Sequence, residues 1–170
     1  MVLGARGLSS LEKLVFGSIS QGVLSEGCCP TLVVKKPITE VKRVLLPLKG
    51  PEDAAAAYAF LEKKPFGPST QITVVTIPTS ARDAAQKLVD DAASRISSIS
   101  SLGYSASASI VTGIPGGAIV QFASEMQPDI ILMGSHGGRG LHRLALGSVS
   151  EMVLHNFQGA VAIFPLDPSA

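Results

Sequence analysis

Apolar residues in this chain gather into short runs separated by amphipathic stretches, and the alternation is regular from residue 44 onward. Val44-Leu45-Leu46-Pro47 reads as a buried strand, ended by a proline that cannot continue a ladder. Pro51-Glu52-Asp53 opens an alanine-rich helix expected to end near Lys64, with acid in its first turn and lysine in its last, as the helix dipole prefers. Pro65 and Gly67 break it. Ile72 to Ile77, rich in valine, isoleucine and threonine, is a second strand. Ser80-Ala81-Arg82-Asp83 resembles a capping box with aspartate in place of glutamate, and predicts a helix towards Leu102 that Gly103 stops. Ser105 to Val111 is a third strand, less apolar and so expected near a sheet edge. Thr112-Gly113-Ile114-Pro115 is a turn whose proline can start the next helix, which runs to about Met126. The run Ile130 to Met133 is a fourth strand. Leu141, Leu144, Ala145, Val149, Met152 and Val153 keep an apolar face at helical spacing up to the break at Gly159, and Val161 to Phe164 is a fifth strand. Strands alternating with helices predict an α/β fold, a doubly wound, five-stranded and mainly parallel sheet, with ligands beyond the carboxyl ends of its strands.

The first 36 residues partly repeat a later stretch. At an offset of 130 residues and with no gap, Gly4 meets Gly134, Gly7 meets Gly137, Leu11 meets Leu141, Gly17 meets Gly147 and Ser18 meets Ser148. The strand Thr31 to Val34 follows, as Val161 to Phe164 follows the later copy. The expected organisation is a C-terminal remnant of a first domain at 1–36, a linker at 37–43 and a complete domain at 44–166, as in the distal part of a tandem protein.

Composition narrows the class. The 170 residues carry a formal net charge of +1, with 16% charged and 46% hydrophobic residues, so charge implies neither nucleic acid nor an anionic membrane as partner. No run approaches a membrane span and no signal peptide pattern opens the sequence, which makes a cytoplasmic protein the expectation. Cys28 and Cys29, as sequence neighbours, offer a poor disulfide and no zinc spacing, and read as small apolar residues ahead of a strand.

The chemistry concentrates in Met133 to Val149. A buried strand feeds a glycine-rich turn and then a helix, with Gly134, Gly137 and Gly147 spaced along it and Ser148 directly after the last. Such a turn offers an anion backbone room, converging N–H groups and a helix N-terminus. The alternative is that the glycines serve only tight turns and close helix packing. Arg139 and Arg143 suit phosphate steering or an exposed turn equally well, and His136 is a loop histidine with a solvent-facing reading. No Walker-type Gly-Lys-Ser/Thr follows the loop and no carboxylate pair stands near it in sequence, so a catalytic cycle is not expected.

Gly134-x2-Gly137-x9-Gly147-Ser148, the earlier Val111-x-Gly113-x-Pro115 and the strand order from Val44 onward together resemble the universal stress protein family. The resemblance covers about Val41 to Pro165, with a partial copy from Val2 to Lys35. It implies a sheet related to flavodoxin-like and adenine-nucleotide α-hydrolase-like folds, and dimers formed through the last strand. In one branch it implies a bound ATP, with magnesium accompanying the phosphates. The nucleotide site it implies comprises Pro47, Lys49, Gly113, Met133, Gly134, Gly137, Gly147, Ser148 and Val149. Pro47-Leu48-Lys49-Gly50 departs from the family's Pro-x-Asp-Gly, whose aspartate helps to hold the nucleoside. Lys49 reverses that charge, and reads either as a point charge for phosphate or as a solvated loop lysine. Self-association is expected through Thr31 to Val34 and Val161 to Phe164, either between chains or within one chain as a pseudo-dimer.

Three functions follow. One is a nucleotide-binding stress or signalling protein without dedicated catalysis. A second is a nucleotide-independent dimerisation or regulatory module, for example a cytoplasmic domain of a transporter. An ATP-using enzyme of a related α/β class is the third, and the missing catalytic residues disfavour it.

Overall fold

A computed structural model describes residues 1–4, 29–78, 82–99, 103–135 and 146–166. These form β1 (Val2–Gly4), β2 (Thr31–Val34), β3 (Arg43–Pro47), α1 (Pro51–Leu61), β4 (Gln71–Thr76), α2 (Arg82–Ser98), β5 (Ser105–Ile110), α3 (Pro115–Met126), β6 (Ile130–Gly134), α4 (Ser148–Asn156) and β7 (Ala160–Phe164). The strands make one sheet in the order β1-β2-β7-β6-β3-β4-β5. Every neighbouring pair runs parallel except β2 and β7, which run antiparallel with Thr31 opposite Ile163 and Val33 opposite Val161.

The continuous apolar runs reflect helices on both faces of the sheet. Val44, Leu46, Val74, Leu132 and Phe164 point into one core with α1 and α2, while Leu45, Val75, Ile131, Met133 and Val161 point into the other with α3 and α4. On the first face Phe60 of α1 stacks on Phe164 at 5.9 Å between ring centroids. β5 is the outer strand, and its polar Ser105, Ser107 and Ser109 agree with that place at the edge.

Several boundaries differ from the sequence expectation. α1 ends at Leu61, and no basic residue lies in its last turn. The chain turns at Lys64, whose φ of 52° is left-handed, directly before Pro65. A residue preceding proline disfavours the helical region, so Lys63 and Lys64 fall outside the helix they were expected to close. α2 ends at Ser98; the Ser80 and Ala81 half of its expected capping box, and Leu102, lie outside the described residues. Met152, placed on an apolar face by spacing, is 42% exposed, whereas Val153 is fully buried. Leu141, Leu144 and Ala145 lie outside the described residues, as do Gly7, Leu11, Gly17, Ser18 and Cys28.

Two contacts tie distant segments to this frame. The Asp129 carboxylate accepts the backbone N–H groups of Lys42 and Arg43, each at 2.8 Å, and so joins the start of β6 to the start of β3. Lys35, just past β2, sends its ammonium to the end of α4, where it donates to the Leu154 and Phe157 carbonyls. Those are carbonyls that a helix C-terminus leaves without intrahelical partners.

Candidate functional site

The sheet order places a switch point between β3 and β6. From β3 the chain winds outward through β4 to β5, and from β5 it returns through α3 to β6 on the other side. Segments leaving the carboxyl ends of β3 and β6 therefore diverge and leave a crevice between them. A cavity of about 430 Å³ opens there, within the range of small-ligand sites.

Three kinds of wall surround it. Leu48, Ile77, Pro115, Ile119 and Met133 give an apolar side. Gly134 and the stretch Gly147 to Ser150 give a side of backbone, and Lys49 and Asp53 supply charge. Of the residues singled out in the sequence, Pro47, Lys49, Met133, Gly134, Gly147, Ser148 and Val149 line this cavity. Gly113 does not: it sits two residues before Pro115 with φ of 131°, a conformation that glycine adopts readily, and shapes the turn that starts α3. Gly137, His136, Arg139 and Arg143 lie outside the described residues.

The ends of the glycine loop are fastened together. Ser135 N–H donates to the Phe164 carbonyl and Gly147 N–H donates to the Ser135 carbonyl, both at 2.9 Å. Gly147 is also the N-cap of α4, with no side-chain capping bond, and its carbonyl accepts the first helical bond from Glu151. The N–H groups of the helix's first turn, at Ser148, Val149 and Ser150, have no intrahelical acceptor by construction, and they stand in the cavity wall. Ser150 uses its hydroxyl elsewhere, donating to the Gly134 carbonyl at 3.0 Å and drawing α4 against the end of β6. A helix N-terminus arranged so can receive an anion.

Asp53 was read from the sequence only as a favourable acid in a first turn. In the fold its Oδ2 accepts the Lys49 N–H at 2.7 Å, which bends the segment after β3 back over the helix. Its other oxygen, Oδ1, faces Gly134: a Cβ built on that glycine would stand 3.5 Å from it. Burial raises the Asp53 pKa above the ordinary carboxylate value, and the backbone N–H groups of Lys49 and Gly50 pull the other way. The signal that could have found it is the N3 position, whose acid reaches back to the N-cap in a capping box. Lys49 itself is exposed at the rim.

Gly134 is approached closely on the same side by Leu166, whose Cδ2 would lie 2.7 Å from an added Cβ. Among the described residues no group of three or more His, Cys, Asp or Glu could hold a metal ion, and no helix is long and apolar enough to cross a membrane.

The family model described as the universal stress protein family matches residues 1–35 and 40–165. Universal stress protein MJ0577 of Methanocaldococcus jannaschii is 39% identical over 72 residues, 40% of this chain and 44% of that protein. Universal stress protein Mb2028c of Mycobacterium bovis is 28% identical over 172 residues, 91% of this chain and 58% of that protein. The chain thus spans little more than half the length of even the longer match. Among solved structures, a universal stress protein from Archaeoglobus fulgidus superposes with a TM-score of 0.65 at 24% identity, covering 96% of this chain and 59% of that one. A universal stress protein in complex with cAMP superposes with a TM-score of 0.56 at 18% identity, covering 76% of this chain and all of that one.

Proposed function

On the premise that the chain belongs to the universal stress protein family, we propose that it binds an adenine nucleotide, ATP or a close relative, in the cavity between β3 and β6. One observation carries the reading: the first turn of α4, which has no side-chain cap, lines a cavity that is also lined by Leu48, Ile77, Pro115, Ile119 and Met133. The phosphates sit on the Ser148 to Ser150 turn and on Gly134 and Gly137, and a magnesium ion accompanies them in solution. The base lies against Ile77, Pro115 and Ile119. A universal stress protein of the same fold has been solved with cAMP, and that supports an adenine ligand here.

The protein is a binder or switch in stress response or signalling in the cytoplasm, and not a dedicated catalyst. The cavity's carboxylate, Asp53, is engaged by the Lys49 N–H, and among the described lining residues no second acid pairs with it for phosphoryl chemistry. Residues 1–36 act as the remnant of a first domain, and the β2–β7 pairing stands where a dimer of complete domains would join, so the chain is a pseudo-dimer within itself.

A nucleotide-independent dimerisation or regulatory module, such as a cytoplasmic domain of a transporter, is the competing reading. The exposed Lys49, where the family's nucleotide binders carry aspartate, favours it. Calorimetry with ATP and magnesium, together with acid release of any co-purified nucleotide, separates the two. Heat of binding or released nucleotide supports the first, and neither at millimolar ATP overturns it.

A further inference from the structure

Resting on the nucleotide site just described, we propose that Asp53 fixes the sugar in it: its Oδ1 accepts hydrogen bonds from the ribose 2′- and 3′-hydroxyls, a contact Lys49 cannot make from the loop.

The first ground is placement. Asp53 lines the cavity, and its Oδ1 is the oxygen on the Gly134 side. Gly134 is joined to the first turn of α4 by the Ser150 hydroxyl at 3.0 Å, so the carboxylate lies on the side of the cavity that also carries that turn. In a nucleotide the group next to the phosphates is the sugar.

Orientation is the second ground. The Lys49 N–H holds Oδ2 at 2.7 Å and the Gly50 N–H also bonds the carboxylate, so the group is fixed with Oδ1 on the Gly134 side. A side chain fixed in this way loses little rotamer freedom on binding.

The third ground is chemical. An ionised carboxylate only accepts hydrogen bonds. Phosphate oxygens offer it no donor and repel it, whereas a cis-diol offers two donors in a fork that one carboxylate can meet. Asp53 therefore repels the phosphates from its end of the cavity and sets the direction in which the nucleotide enters. The family pattern places an acid on the loop after the first strand of the domain, at the position of Lys49; this chain carries its acid on α1, one helical turn later in sequence.

The test is calorimetry of the full chain with ATP and with 2′,3′-dideoxy-ATP, both with magnesium. The wild-type protein is expected to prefer ATP about tenfold or more, the worth of one charge-assisted hydrogen bond. Asp53→Ala should lower ATP affinity by about the same factor and leave the dideoxy nucleotide within about twofold, so that the preference disappears. Asp53→Asn keeps an acceptor for the Lys49 N–H, and should lose part of the preference while its unfolding midpoint stays near that of the wild type. If Asp53→Ala does not fold, the Asn variant decides alone. A wild-type protein that binds both nucleotides equally, or variants that weaken both equally, would overturn the sugar contact and leave Asp53 as a helix cap. Binding of neither nucleotide by the wild type would overturn the nucleotide site and the contact together.

Discussion

Gly147 donates its N–H to the carbonyl of Ser135 at 2.9 Å, and through that bond both ends of the glycine-rich loop are held on the same end of the sheet. Gly147 has φ of −63° and ψ of 146°, values natural to proline. Gly147→Pro therefore removes one donor with little change in backbone preference. It should cost about 1 kcal/mol in urea unfolding, the worth of the Gly147 to Ser135 bond in a residue only 5% exposed, and it should weaken ATP binding. Gly147→Ala keeps the N–H and is the control; equal losses in both variants would contradict the role given to the bond.

Packing between α3 and α4 supports the cavity from behind. A Cβ on Gly116 would lie 2.5 Å from the Met152 sulfur and 2.9 Å from the Met152 Cβ. Alanine at this position gains up to about 1 kcal/mol in helix propensity, but the overlap with Met152 Cβ cannot be relieved by rotating a side-chain tip. Gly116→Ala should destabilise by about 1–2 kcal/mol net. Met152→Ala made in the same chain removes the sulfur and Cγ but keeps the Cβ, so it should recover only part of that, and a double-mutant cycle measures the coupling.

Asp129 supports the fold at the end of the sheet opposite the cavity. Removing its carboxylate strands the Lys42 and Arg43 N–H groups, which donate to it at 2.8 Å. Asp129→Ala should lower stability by about 1–2 kcal/mol in urea unfolding, with ATP affinity unchanged within about twofold. A large loss of affinity would show that the two ends of the sheet are coupled.

Lys35 predicts a pH dependence. Burial lowers its pKa to about 8 from 10.5. Between those values the unfolded chain binds the proton more strongly than the folded one, so this group makes stability rise as pH goes from 8 towards 10.5. Below pH 8 both states hold the proton and the group adds no slope. Neutral lysine keeps N–H donors for the Leu154 and Phe157 carbonyls, so the cap on α4 survives deprotonation. Unfolding midpoints of wild type and Lys35→Met across pH 8–10 should diverge as pH rises; parallel curves would refute the buried ammonium.

Much of the frame was legible because both faces of the sheet are covered. Val44-Leu45-Leu46 and Ile130 to Met133 need no alternation when each face meets a helix layer, and β5 betrayed its place at the edge by its serines. The pairing of Thr31 to Val34 with the last strand was expected from the family resemblance, which implies dimers through the last strand, with the internal repeat making Thr31 to Val34 the counterpart. What escaped was long-range or conformational. Lys35 was placed at the end of the 1–36 remnant with no partner named, yet its nitrogen caps a helix 119 residues away along the chain, a distance no local pattern spans. Lys63 and Lys64 looked like helix-closing residues, but the proline after them decided the backbone first. Asp53 had the composition of an ordinary first-turn acid; only the bend at Lys49 and Gly50 turns it towards Gly134.

The antiparallel junction between β2 and β7 gives the molecule two poles. Gly4 and Gly134, matched by the repeat, end strands that run in opposite directions, since β1 follows β2 and β6 follows β7. The pole where β1 ends therefore lies at the opposite end of the sheet from the cavity beyond β6, so a substitution made there probes the frame without touching the cavity lining.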